Sequence, residues 1–509
     1  MSFDILCLTP CSITYELRND AIYEVDEEYS VYLDGHEALR TKRNVATLFS
    51  LSPDRDYLLR IGDEEKIVHT PSVTYVLHSS DFLLEERGED DTLALQTAIM
   101  ATPRGGLLVI DPGDYRVTAL FLKSHITISF AKGARLLGST KKEDTPIGKG
   151  EYEAEGKLPL EVFAWEGAPF PGKPSLLSGF EVEDVTLVGE GILDGRADQS
   201  PYWTDVKTMP YARPRLLFLN RCENIRVVGL SFRNTPCWTI HPYFSNGLGF
   251  YDLYIENPKD SPNTDGMDPE ACDDVKIVGV RFSVGDDCIA LKSGKIYIGK
   301  TFKKPCSRVE IRNCFMNEGH GAVVLGSEAG AGLKDLTIER CLFRHTDRGL
   351  RIKSRRGRGK DSVIDNVTFS HIRMDNVLTP FTINMFYFCD PDGKSEEVQS
   401  RLPRPVDEST PRLGRFLFRD IVATDAEIAL GYFIGLPESP IGEIEIRDSV
   451  FTVKEDAKPG KPAMLCGVED MVKQGFLFEN VGTVRFENVS IEGQSGKPIQ
   501  TINVDEVIA

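Results

Sequence analysis

From about residue 184 onward the chain repeats one phrase: a small or polar residue or two, then an alternating apolar strand. Copies run over Asp184–Val188, Asn224–Val228, Gly247–Tyr251, Asp274–Val278, Arg308–Arg312, Asp335–Glu339, Asn366–Ser370, Glu443–Arg447 and Thr483–Glu487. The first apolar residues from Ile225 to Val367 are separated by 23, 27, 34, 27 and 31 positions. A unit of that size cannot bury its own apolar face, so each copy predicts one coil of a solenoid. Like positions then stack as parallel strands about 4.8 Å apart with the apolar side chains in the bore. Crossovers between parallel strands are right-handed, which makes the expected fold an all-β, right-handed parallel β-helix. The Leu-x-x-Leu-x-Leu pattern of the competing leucine-rich solenoid is absent.

The chain ahead of the repeats reads differently. Short strands are expected at Asp4–Leu8, Ser12–Leu17, Tyr29–Leu33 before an Asp34-Gly35 turn, and Tyr57–Ile61, the pattern of a small β-sandwich over residues 1–84. The stretch Leu51 to Tyr57 resembles the turn and tyrosine corner of fibronectin type III modules. A polar linker from Glu85 to Asp91 and one helix over Asp91–Ile99, with Asp91 as N-cap, lead into the solenoid domain of residues 85–509.

Composition narrows the function. Of 509 residues 59 are Lys or Arg and 78 are Asp or Glu, a net charge of −19 that disfavours phosphate backbones and anionic lipid as partners. There is no apolar run long enough for a membrane span, and the opening residues carry Asp4 rather than a basic stretch. The 11 cysteines have no paired spacing, so free, mostly buried thiols and a cytoplasmic setting are expected.

Stacking turns the repeat into a map of shared faces. Asp286 follows Val275 by eleven positions and His320 follows Val309 by eleven, which predicts neighbours one rung apart. Asp265, Asp287, Arg351 and Lys353 lie on the same run of coils at slightly different offsets that unequal loops absorb. One cleft would then hold three carboxylates, an imidazole and two cations. Crowded carboxylates raise one another's pKa, so one stays a proton donor while others serve as bases, as glycosidic hydrolysis requires. A calcium site or plain turn structure are the alternatives for the same acidic residues. His320 between Gly319 and Gly321 admits a close approach, although a lone histidine is often structural. In a strand Arg351 and Lys353 share a face suited to an anionic substrate, while Arg355 to Lys360 read as a solvated loop. Trp238, Tyr387 and Tyr432 are candidates either for sugar stacking or for packing, and Cys272 and Cys288 read as buried hydrophobes rather than metal ligands.

Asn263-Thr-Asp, Gly285-Asp-Asp, Gly319-His-Gly and Arg351-Ile-Lys, in this order, closely resemble the four signature motifs of glycoside hydrolase family 28, the polygalacturonases. Gly326-Ser-Glu looks like the bacterial branch, and a fibronectin-like module ahead of the β-helix is similar to bacterial exo-acting members. The resemblance implies inverting hydrolysis of α-1,4-linked galacturonate without a cofactor or metal. It implies Asp286 as general acid and Asp265 with Asp287 as water activators. It further implies that His320 maintains the protonation of Asp286, that Arg351 and Lys353 bind a substrate carboxylate, and that a tyrosine on a later coil, Tyr387 or Tyr432, contributes. The expected partner is an acidic oligosaccharide. Inserts Lys141 to Lys173 and Asp390 to Arg412 would wall off one end of the cleft and enforce exo action, with endo cleavage, a rhamnogalacturonan or xylogalacturonan substrate, a calcium-dependent lyase or a noncatalytic binding solenoid as alternatives.

Overall fold

The computed structural model describes residues 1–508 except 84–89, 154–157, 205 and 207–212, so most of the expected Glu85–Asp91 linker and the boundary at residue 84 lie outside the described residues. The N-terminal part is a sandwich of seven antiparallel strands: β1 Phe3–Thr9, β2 Ser12–Leu17, β3 Glu24–Leu33, β4 His36–Arg43, β5 Val45–Leu48, β6 Asp56–Ile61 and β7 Glu64–His69. Sheet β1-β2-β5 faces sheet β4-β3-β6-β7 across a core built on Phe3, Ile13, Tyr15, Val31, Leu59 and Ile61. Asp34 and Gly35 both take positive φ, the geometry that a tight hairpin turn demands. The Tyr57 hydroxyl accepts a hydrogen bond from the Ser52 backbone N–H at 2.7 Å, which ties the corner expected there.

Helix α1, Thr92–Ala101, follows. Asp91 takes the N-cap position as expected, but its side chain accepts from the Arg116 N–H, and Asp90 accepts from Thr92 N at 2.9 Å. α1 covers the first coil of a long parallel β-helix.

The repeat register is the one read from the sequence. Val185 pairs with Ile225, then Leu248, Val275, Val309, Leu336 and Val367, in unbroken succession. All seven are essentially buried in the bore, each worth about 1.5–3 kcal/mol of apolar burial. The column continues from Val367 to Phe416, Ile444 and Val484, and begins earlier with Gly106 and Ile126. The Phe416 coil was not among the expected copies because the long Asp390–Arg412 insert interrupts the spacing there.

A second column of strands carries the site. It includes Asp287–Leu291, Gly321–Gly326, Arg348–Lys353 and Thr379–Asn384, all parallel and in register. The sandwich packs elsewhere, with Cys7, Cys11 and Val45 against Val188, Val228 and Val278, and Glu16 accepting from Arg312, Asn313 and Arg340. All 11 cysteines are unpaired; Cys389 and Cys466 are exposed and the rest buried. Among the described residues no helix is long and apolar enough to cross a membrane.

Candidate active site

Parallel stacking brings the three carboxylates together. Met267 bridges to Ile289, so Asp265 and Asp287, each two residues earlier, lie at matching positions on adjacent rungs. The Gly266 N–H donates to the Asp287 carbonyl at 3.0 Å, and a Cβ on Gly266 would stand 2.4 Å from the Cys288 carbonyl oxygen, so the coil closes this tightly only with glycine there. One oxygen from each of Asp265, Asp286 and Asp287 falls within a 4.8 Å cluster. On the next rung the His320 N–H donates to the Asp286 carbonyl at 3.1 Å. That is the adjacency the common eleven-residue offset predicts. Gly319, at φ +87°, makes it possible, because a Cβ there would approach Asp286 O to 2.5 Å.

The electrostatics separate the three acids. Burial pushes Asp287 up, but Lys353 and Arg351 outweigh it and bring its carboxyl down to about 2. Lys353 Nζ donates to Asp287 Oδ2 at 2.9 Å and Arg351 donates to Oδ1 at 3.3 Å. Asp286 is held above its ordinary value by burial and by the Asp287 charge, with His320 acting in the opposite sense. Asp265 is pushed well above the carboxylate range by burial, then by Asp268 and Asp286, and its Oδ1 has no hydrogen-bond partner. Asp287 is therefore the carboxylate that stays ionised. Asp286, the one of the three that retains partial solvent exposure, is placed to donate a proton outward.

The donor set fits proton work better than a divalent cation, because both oxygens of Asp287 are already committed to fixed cations. The two basic side chains thus serve Asp287 first. Arg351 also reaches Met464 Sδ at 2.7 Å.

The structure corrects the solvated-loop reading of Arg355 to Lys360. Arg355, Arg356 and Arg358 are buried, and their charges are met by Asp390 and Asp392, by Glu438, and by Asp390 respectively. These acids lie in or beyond the Asp390–Arg412 insert, at a sequence distance that the charge run alone does not reveal. Lys360 alone of the segment's later cations is exposed, paired to Glu408.

His320 does not bond the Asp286 side chain through its ring. Its Nδ1 pairs with Asp347 Oδ2 at 2.9 Å. Asp347 was missed by sequence reasoning although the signal was present: it follows Leu336 by eleven positions, the offset that Asp286 and His320 share. Lys292 was missed as well, and it is buried between Asp268 at 3.4 Å and Glu328 at 3.3 Å with its Nζ 4.7 Å from the Trp238 ring centroid. Between the two tyrosines, Tyr387 lines the cavity, while Tyr432 is buried in register with Thr382 and does not line it. Trp238 is nearly buried but lines the cavity, and it stacks on Trp165 of the first insert at 4.9 Å and 17°. Cys272 and Cys288 are fully buried, as read.

The site opens into two adjoining cavities of about 420 and 860 Å³ that share Trp165, Glu166, Asn263, Asp286 and His320. The first insert lines it through Trp165 and Glu166, and Lys295 ties that insert to the start of the second. Lys295 lies 3.5 Å from Glu166 of the first insert and 3.1 Å from Asp390 of the second.

Residues 125–400 match the sequence profile of Glycosyl hydrolases family 28. The chain belongs to this family. A family 28 chain is a glycosidase, and its similarity extends to a probable polygalacturonase of Vitis vinifera, 25% identical over 433 residues and covering 82% of each chain. Among solved structures, a family 28 exopolygalacturonase of Yersinia enterocolitica superposes with a TM-score of 0.71 at 17% identity, covering 99% of this chain and 98% of that one. An exopolygalacturonase of Thermotoga maritima gives 0.66 at 23% identity, over 84% and 94%. The parallel β-helix of these structures is the fold described above.

Proposed function

We propose that this glycosidase hydrolyses α-1,4-linked galacturonate, releasing units from chain ends of short oligogalacturonides. The observation that carries the reading is the separation of Asp287, ionised between Lys353 and Arg351, from Asp286, held up beside it in the same cleft. Asp286 protonates the leaving oxygen, and Asp287, the carboxylate that stays ionised, takes the proton of the attacking water, with Asp265 beside it orienting that water. Cations around an acidic centre suit a substrate that brings its own carboxylate.

We assign the inverting course. The clustered oxygens lie within 4.8 Å, closer than the roughly 6.5–9.5 Å usual between acid and base in inverting enzymes. Asp287, however, is almost wholly buried with both oxygens engaged, which suits it to order a water rather than to attack carbon. The Lys295 bridge between the two inserts supports exo action by closing one end of the cleft. Acidic sugar as ligand, a cytoplasmic setting supplied with short oligosaccharides, and an N-terminal sandwich of the fibronectin type III kind belong to the same reading.

The test is incubation with tri- to hexagalacturonate in EDTA, with products resolved over time and the anomer followed by proton NMR. Free galacturonate from the first points, released as the β-anomer, is expected. Mid-chain fragments would sink the exo assignment, and an α-anomer the inverting one. The calcium-linked lyase reading, which the acidic cluster keeps as the second choice, requires unsaturated products that vanish in EDTA.

A further inference from the structure

Four residues at one phase of successive coils form a column: Lys259, Asp286, His320 and Asp347 each follow the first apolar residue of their repeat by eleven positions. Backbone bonds fix three of them as neighbours, since His320 N donates to Asp286 O at 3.1 Å and Asp347 N donates to Gly319 O at 3.0 Å. The His320 ring and the Asp347 carboxylate then meet at 2.9 Å. A carboxylate only accepts, so Nδ1 must carry the hydrogen and Nε2 is the ring's remaining nitrogen.

We infer that Asp347 is a positioning residue for the hydrolytic reaction: it holds His320 by Nδ1–H and leaves Nε2 to return a proton to Asp286 after each turnover. The inference rests on the role of Asp286 proposed above. The proton balance requires such a step. Asp286 gives its proton to the departing sugar oxygen and the water's proton goes to the base carboxylate, so each cycle ends with the acid empty and the base loaded. His320 is half-exposed at the cleft mouth while Asp265 and Asp287 are buried, so the imidazole is the group that exchanges with solvent. A tautomer set by a hydrogen-bonded carboxylate is the general device for aiming one imidazole nitrogen.

The charged groups facing the ring are Asp286 and Asp287 from the preceding coil, Asp347 with Arg348 and Arg351 from the following one, and Lys259, paired to Glu318 at 2.6 Å. The Asp347 hydrogen bond is the largest influence raising the imidazole's pKa. Removing it loses the ring's proton at lower pH, so the alkaline limb of kcat moves to lower pH.

The experiment compares wild type, Asp347→Asn, His320→Ala and the double variant on trigalacturonate, with ¹⁵N NMR of the His320 ring as a readout independent of turnover. Asp347→Asn is expected to lower kcat about 10- to 100-fold with KM nearly unchanged, the size usual for losing a partner that orients a functional imidazole. The alkaline limb should shift down, and the loss should vanish in the His320→Ala background. An unaltered kcat, or an equal loss without His320, overturns the inference. If wild type hydrolyses no galacturonate oligomer, the substrate reading fails by itself; the ring spectrum still decides for Asp347, because an Nδ1–H population unchanged in Asp347→Asn would refute its hold on the ring.

Discussion

Lys353 Nζ sits 2.9 Å from Asp287 Oδ2, so this lysine serves a carboxylate of the enzyme before it meets one of the substrate. Lys353→Ala is therefore expected to lower kcat as well as affinity. Asp287 is depressed to about 2 with Lys353 the largest lowering influence; its removal lets the carboxyl protonate at higher pH. The acidic limb of the kcat profile should move upward, and a profile in which only KM changes would contradict the assignment.

If Asp286 is the proton donor proposed above, Asp286→Asn keeps the shape and removes that donor. Turnover should fall by about 10² to 10⁴ while binding of trigalacturonate, measured by calorimetry, is retained.

On the proposed exo reading, the wall at one end of the cleft depends on Lys295, which lies between Glu166 and Asp390. Lys295→Met uncouples the two inserts, and the expected result is the appearance of di- and trigalacturonate from hexagalacturonate at early times. Product patterns identical to wild type would mean that the wall stands without the bridge.

Arg356 pairs with Glu438 at 2.6 Å, and both side chains are 4% exposed. Arg356→Met leaves a buried carboxylate without its partner, a loss of about 3–5 kcal/mol that denaturant unfolding will read. A solvated loop would show almost none.

Glu270 is hydrogen-bonded to His241 at 3.1 Å, and burial followed by the Glu328 charge, only partly offset by Lys292 and Arg215, raises it to about 8. A carboxyl raised on folding contributes stability that is complete below its unfolded pKa of about 4.3 and is lost as pH rises toward 8. Melting temperature should accordingly fall between pH 5 and 8, and Glu270→Gln should flatten that slope.

The solenoid was legible because its period is local: each coil must present an apolar residue to the bore, and the register from Val185 to Val367 follows from that single requirement. The same period placed Asp286 beside His320, and the motif pattern placed Asp265, Asp287, Arg351 and Lys353 in one cleft. What the period cannot carry is the choice of partner. Lys353 and Arg351 turn to Asp287, His320 to Asp347, and Arg355, Arg356 and Arg358 to acids from 32 to 82 positions away. Tyr387 was separated from Tyr432 only once the fold placed the first in the cavity lining and covered the second. Backbone periodicity is set by burial of neighbouring residues along the chain, whereas the pairing of charges is set by distances that exist only once the inserts have folded back over the coils.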